Sequence, residues 1–385
     1  MRLLIAPDSF AGTLSAVQSA HAIASGWRSH APDDQTIERP MSDGGPGFVG
    51  VIAKALGAQL VETSVTGPLG DEVPAEFAVH GSTAYVEAAQ ACGLALVPPG
   101  QRNPEDTTSY GVGQLLKAAL AEGVERIVIG LGGTATNDAG AGMLAALGAT
   151  ADGALDCGPR QFARLREIDL GVPRRLFADV DLVVATDVDN PLLGLRGASR
   201  SFGPQKGASE EQVMRLEGAL EHFHETVGKL PDGKDPAVAL GAGAAGGLGY
   251  ALMMLGATRV PGIATVMDIV GLADLIEQAD LVITGEGCFD WQSLRGKVVS
   301  GVAAMALNDA KPCVVLAGQV MVGRREYTAT GVAAAYSVSD IAGGVEESMA
   351  DPAGALAAAA ARVAKTWSAG RRRSQRERGT APDGE

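Results

Sequence analysis

The sequence predicts an α/β protein of two domains, and three observations predict it. Short apolar runs such as "RLLIAP", "RIVIGL" and "DLVVATDV" alternate with alanine-rich stretches, as parallel strands covered on both faces do. From about Gln59 to Val97 that alternation stops, and strands follow one another through the turns "TGPLGDEVP" and "HGS". At 385 residues the chain is also too long for one ordinary domain. The expected architecture is a Rossmann/flavodoxin-like parallel-sheet domain interrupted by an inserted mixed α/β domain. The first would comprise residues 1–60 and 261–370, and the insert 61–260.

The elements follow in order. "RLLIAP" and "TIERPM" are strands, with a helix over Ser15–His30 between them. "QLVETSV", "EFAVHG" and "TAYVEAA" form the antiparallel or mixed stretch. Further strands are "RIVIGL", "DLVVATDV", "DLVITGEG", "PCVVLAG" and "GVAAAYSVS". Helices are expected at Thr108–Ala121, Ala139–Leu147, Glu210–Val227, Leu248–Leu255, Lys297–Asn308 and Pro352–Trp367. The tail from 371 to 385 has almost no apolar residues and is expected to be disordered.

Bulk properties exclude some functions. The net charge of −14 is wrong for tracking along nucleic acid. No apolar run reaches membrane-spanning length, so no membrane partner is expected. Four scattered cysteines without a C-x-x-C suit a reduced, cytoplasmic protein. His222 and His224 lie two apart on a helix and point away from each other, a poor metal pair.

Ligands of parallel sheets sit beyond the carboxyl ends of strands. Five such ends here carry acidic residues beside glycine or hydroxyl residues. They are Asp8 and Ser9; Asp43 with Gly44 and Gly45; Gly132, Gly133, Thr134, Asn137 and Asp138; Asp187 and Asp189; and Glu286, Asp290 and Gln292. Carboxylates gathered in a cleft repel one another unless a cation joins them, and Mg²⁺ takes one or two carboxylates plus phosphate oxygens. Lys206, Lys297 and Arg196 are candidate partners for phosphate charge. The loops "GLGGTATNDAGAG" and "GAGAAGGLG" are candidate phosphate cradles, the latter through Gly243 and Gly246. The second also contains G-x-G-x-x-G, which leaves a dinucleotide-dependent oxidoreductase as an alternative.

Taken together, "APDSF", "PMSDGG-x-GF", "GLGGTATNDAGAGML-x-ALG", "DVDNPLLG", "FGPQKGA", "GAGAAGGLG" and "DLVITGEG" resemble the type-1 glycerate kinases from about Met1 to Trp367. The resemblance implies ATP- and Mg²⁺-dependent phosphorylation of D-glycerate or an analogue, typically giving 2-phosphoglycerate, by a monomer or homodimer. On that reading Asp189, Lys206, Asp43 and Asp8 are catalytic. Asp187 and Asp189 hold the metal. Gly132, Gly133, Thr134, Asn137, Gly243, Gly246 and Lys297 contact the nucleotide, and Ser9, Asp290, Gln292 and Arg295 the substrate. The chain departs from the family pattern at Ala11, Pro46, Cys288 and Val299, which stand for lysine, glutamate, arginine and proline. Those departures leave open a kinase for another hydroxy acid, or a catalytically weak homologue.

Overall fold

The computed structural model describes residues 1–378 apart from Ala11 and Arg295, with the backbone alone for 369–378. Among these residues the strands, in chain order, are β1 (Arg2–Ile5), β2 (Gln35–Glu38), β3 (Gln59–Thr66), β4 (Glu72–His80), β5 (Thr83–Glu87), β6 (Arg126–Gly130), β7 (Thr150–Ala151), β8 (Ile168–Asp169), β9 (Asp181–Ala185), β10 (Thr258–Val260), β11 (Leu281–Phe289), β12 (Cys313–Val320) and β13 (Val332–Ser337). Contacts divide the chain into two compact units. One holds Met1–Ser42 and the chain from Val266; the other holds Asp43–Thr265.

The first unit is built on the sheet β13-β12-β11-β1-β2, parallel throughout. Counted within the unit this is the doubly wound order 2-1-3-4-5, whose switch point lies between β1 and β11. Both faces are covered, which is why "RLLI" is apolar at successive positions. Leu3, Ile5, Leu281, Ile283, Val314 and Leu316 share one cluster with Ile23 and Trp27 of helix Ala16–His30 and with Leu356 and Val363 of helix Pro352–Arg378. Leu4, Val282 and Val315 point to the opposite face, where Val298 and Val302 of helix Val298–Asn308 are buried. Ser15 caps the first helix in a capping box with Gln18.

The second unit carries the sheet β10-β9-β6-β5-β4-β3. Its β3–β4 and β4–β5 pairs are antiparallel and the rest parallel, as the break in alternation after Gln59 indicates. Its core gathers Phe77, Val86, Leu116, Ile129, Val184, Phe223 and Tyr250.

Three sequence expectations change. The chain passes into the second unit at Asp43, not near residue 60, because helix Phe48–Leu56, unread in the sequence, packs on β4 and β5. "TIERPM" stops as a strand at Glu38, short of Pro40, which lacks a ladder N–H. The last helix runs past residue 370 to Arg378, since Arg, Gln and Glu extend a helix readily. The rest of the expected tail, 379–385, lies outside the described residues.

Candidate active site

In the second unit, β6 and β9 end side by side at Gly130 and Ala185. The segment 43–47 crosses these ends in backbone-to-backbone contact. Gly132 N–H donates to Gly44 O at 3.1 Å. A Cβ on Gly130 would lie 2.4 Å from Gly44 O, and one on Gly132 2.3 Å from Gly45 Cα. These glycines are therefore required by packing. The crossing fixes Asp43, whose Oδ1 accepts from Gly45 N–H at 3.0 Å. Asp187, at the end of β9, accepts from Ile263 N–H at 3.0 Å. Asp187 keeps an exposed edge, yet partial burial of its carboxyl, and next the charge of Asp43 against hydrogen bonds from Ile263 and Gly262, pushes its pKa up. Asp189 is exposed and pairs with Arg259 Nη2 at 2.6 Å.

Arg259 escaped the sequence reading. It sits on β10, only three residues long, where periodicity gives no strand signal. Glu87 escaped it as well. This residue ends β5, is 4% exposed, and accepts from Gly47 N–H at 2.9 Å and Val49 N–H at 3.4 Å, holding the start of helix Phe48–Leu56. Burial pushes its pKa up to about 7 against these bonds. A carboxylate closing an otherwise apolar strand was the available signal.

The glycine loop after β6 holds protein groups, not an open cradle. Asp138 is fully buried and accepts from Ser109 N–H, Ser109 Oγ, Gly140 N–H and Gly142 N–H at 2.9, 2.8, 3.1 and 3.3 Å. The donors expected to meet phosphate at the next helix, Ala141–Ala146, are thus met by Asp138. Asn137 is also fully buried, and its Nδ2 donates to Ser199 Oγ at 3.0 Å. Thr134 is buried; Gly133 is exposed and Gly132 half-buried. Lys206, expected at a phosphate, is 3% exposed and its Nζ donates to Thr136 O at 2.6 Å. The loop Gly241–Gly249 is buried throughout. A Cβ on Gly243 would lie 2.3 Å from Pro191 O, and one on Gly246 2.0 Å from Thr136 O. Gly243 and Gly246, expected at a phosphate, pack one loop backbone against another.

In the first unit Asp8 and Ser9 follow β1, and Asp290 follows β11. Asp8 N–H donates to Gly285 O at 2.8 Å, and Asp8 Oδ1 accepts from Ser9 N–H at 2.6 Å. Asp290 accepts from Gln292 N–H at 2.8 Å and Ser293 N–H at 3.2 Å, closing the turn after β11. Gln292 is exposed, and half-buried Lys297 precedes helix Val298–Asn308. Cys288 is exposed on β11; burial, then Asp290 and Glu286, pushes its thiol pKa up. Arg295 and Ala11 lie outside the described residues. Arg196 is exposed. Among the described residues no helix is long and apolar enough to cross a membrane, and no three His, Cys, Asp or Glu side chains gather to hold a metal alone. His222 Nε2 lies 2.8 Å from Leu165 O, and His224 contacts Tyr250 and Asp235.

Comparison with known proteins gives a consistent result. The family model described as the glycerate kinase family matches residues 3–368. The chain is 45% identical over 325 residues to a glycerate kinase of Haemophilus influenzae, covering 83% of this chain and 86% of that one. It is 43% identical over 383 residues to glycerate 2-kinase of Escherichia coli K12, covering 97% and 99%. A crystal structure described as glycerate kinase 2 from Salmonella typhimurium LT2 matches with a TM-score of 0.78 at 39% identity, over 97% of this chain and 99% of that one.

Proposed function

The chain belongs to the glycerate kinase family and is a phosphotransferase acting on an alcohol group; from that premise we propose that it transfers the γ-phosphoryl group of ATP, with Mg²⁺, to the 2-hydroxyl of D-glycerate. The observation that carries this reading is the meeting of Asp43, Asp187, Asp189 and Arg259 at one strand-end edge.

The donor set fits Mg²⁺: hard carboxylate oxygens, too few to complete a shell, leaving positions for phosphate oxygens and water. Asp187 would hold the ion, with Asp43 beside it; the sequence reading had paired Asp187 with Asp189. Bound there, the ion would neutralise phosphate charge. Asp189 orients the glycerate hydroxyl and takes its proton as the new O–P bond forms and the β–γ bridge breaks, releasing ADP. Arg259 fixes the direction of the Asp189 carboxylate and supplies a cation for an anionic group. Asp8, Ser9, Asp290, Gln292 and Lys297 stay assigned to substrate or nucleotide by their place at the β1–β11 switch point.

The test is purified protein with ATP, Mg²⁺ and a panel of hydroxy acids, the product read by phosphorus NMR. We expect 2-phosphoglycerate from D-glycerate, none after chelation by EDTA, and a kcat loss of roughly 100-fold or more for Asp187→Asn. Turnover of another acid alone would replace glycerate as substrate. Exposed Cys288 between Glu286 and Asp290 is the feature that favours that second reading. ATP binding without turnover of any acid would refute the kinase reading.

A further inference from the structure

A lysine buried to 3% exposure is costly unless its ammonium does something there. Lys206 sits on a tight turn, Pro204–Lys206, closed by Lys206 N–H donating to Gly203 O at 3.0 Å. The Nζ donates to Thr136 O at 2.6 Å. That carbonyl is also where the two glycine loops touch, since a Cβ on Gly246 would lie 2.0 Å from it. Three residues on, Ala139 N–H donates to Gly246 O at 3.0 Å, and a Cβ on Gly247 would lie 2.6 Å from Ala139 Cα. The second loop then reaches the strand-end carboxylates. Gly243 N–H donates to Asn190 O at 2.9 Å, and a Cβ on Gly241 would lie 2.8 Å from Arg259 Cδ and 3.3 Å from Val188 O. Arg259 in turn holds Asp189.

We propose that Lys206 is a positioning residue: its ammonium on the Thr136 carbonyl pins the two glycine loops together and so fixes Asn190, Arg259 and Asp189. It acts through the main chain and touches no substrate. Asp138, fully buried with four donors, and Cys92 are the titratable groups that face it. Cys92 is held neutral by burial, its pKa pushed up to about 12; burial pushes the pKa of Asp138 up too, against the hydrogen bonds from Ser109, Gly140 and Gly142. Consequently Lys206 and Asp138 hold the first loop from its two sides, one through a carbonyl and the other through N–H groups. The proposal rests on the kinase reading for its kinetic consequence alone.

The test uses the full chain with Lys206→Met and Lys206→Gln. Amide exchange is followed without ligand over 130–142 and 241–249. In Lys206→Met both segments exchange at least about tenfold faster, including the second, although the Lys206 Nζ hydrogen bond goes to the first. Turnover falls roughly 100-fold through kcat, with KM for ATP unchanged within about threefold. Lys206→Gln, which keeps a donor for the carbonyl, recovers part of both. Unchanged exchange at 241–249 with lost turnover would overturn the proposal in favour of direct phosphate contact. So would amine labelling of Lys206 in the native protein that MgATP suppresses, a measurement that stands even where Lys206→Met does not fold. If the native protein fails to phosphorylate glycerate, the kinase reading falls, and the exchange result still decides the role of Lys206.

Discussion

Glu87 and Lys206 show how the fold uses charge where solvent is absent. Glu87 carries the first N–H groups of helix Phe48–Leu56, yet burial, with Glu76 adding to it, raises its pKa from the ordinary 4.5 to about 7. A raised carboxyl contributes stability that is complete below the unfolded pKa and lost as pH rises through the folded one. The native protein should therefore lose Tm relative to Glu87→Gln between about pH 4.5 and 7, on the order of 5 °C, with a constant gap above. Parallel Tm curves across that window would contradict the assignment. Lys206 has the opposite history: burial pushes it down from 10.5 to about 8. Native stability therefore gains an increment from Lys206 as pH climbs from about 8 to 10.5, while below 8 the ammonium and its bond to Thr136 O are in place and the contribution does not vary with pH. Relative to Lys206→Met, the native protein should gain Tm as pH rises from about 8 to 10.5, with a constant gap below 8. Neither role was readable from residue type. A lysine in a loop reads as a solvent or phosphate group, and a glutamate after "TAYV" reads as a strand end, because burial is a property of neighbours distant in sequence.

At the scale of elements, the strands were legible and their glycines were only half so. Parallel strands covered on both faces announce themselves as apolar runs, and β1, β6, β9, β11 and β12 fall where such runs lie. The three-residue β10, carrying Arg259, fell below any periodic signal. Glycines in loops suggested ligand approach, whereas many mark one backbone lying against another. The helices show the same in Gly26. A Cβ there would lie 1.9 Å from Ala357 O, so helix Ala16–His30 lies directly on helix Pro352–Arg378. Alanine should gain about 1 kcal/mol in helix propensity and lose more to displaced packing. Gly26→Ala is expected to destabilise by about 2 kcal/mol net in urea unfolding. A stabilised variant would mean that the two helices separate more easily than their contact implies.

At the scale of the whole molecule, each unit has its own sheet and its own core. The second is one continuous segment, Asp43–Thr265, and contains every strand of its sheet. The first needs two segments, because β1 from the start of the chain is the partner of both β2 and β11. A fragment of residues 43–265 should give a cooperative melt with α/β circular dichroism, while one of 266–378 should not fold, lacking β1 and β2 and leaving the β11 edge unpaired. A folded 266–378 fragment would contradict that dependence.

By itself the sequence determined the α/β class, the order of strands and the strand ends that carry acidic residues. These depend on local periodicity and on turn residues, which a chain displays one stretch at a time. It also carried the family motifs, and with them the phosphotransferase class. Only the tertiary structure decided which charged groups are solvent-facing and which glycines are packed. It showed Lys206, Asn137, Gly243 and Gly246 to be buried, and brought Arg259 to Asp189. The reason is physical: desolvation and close backbone approach arise between segments far apart in the chain, and no local pattern encodes which segments will meet.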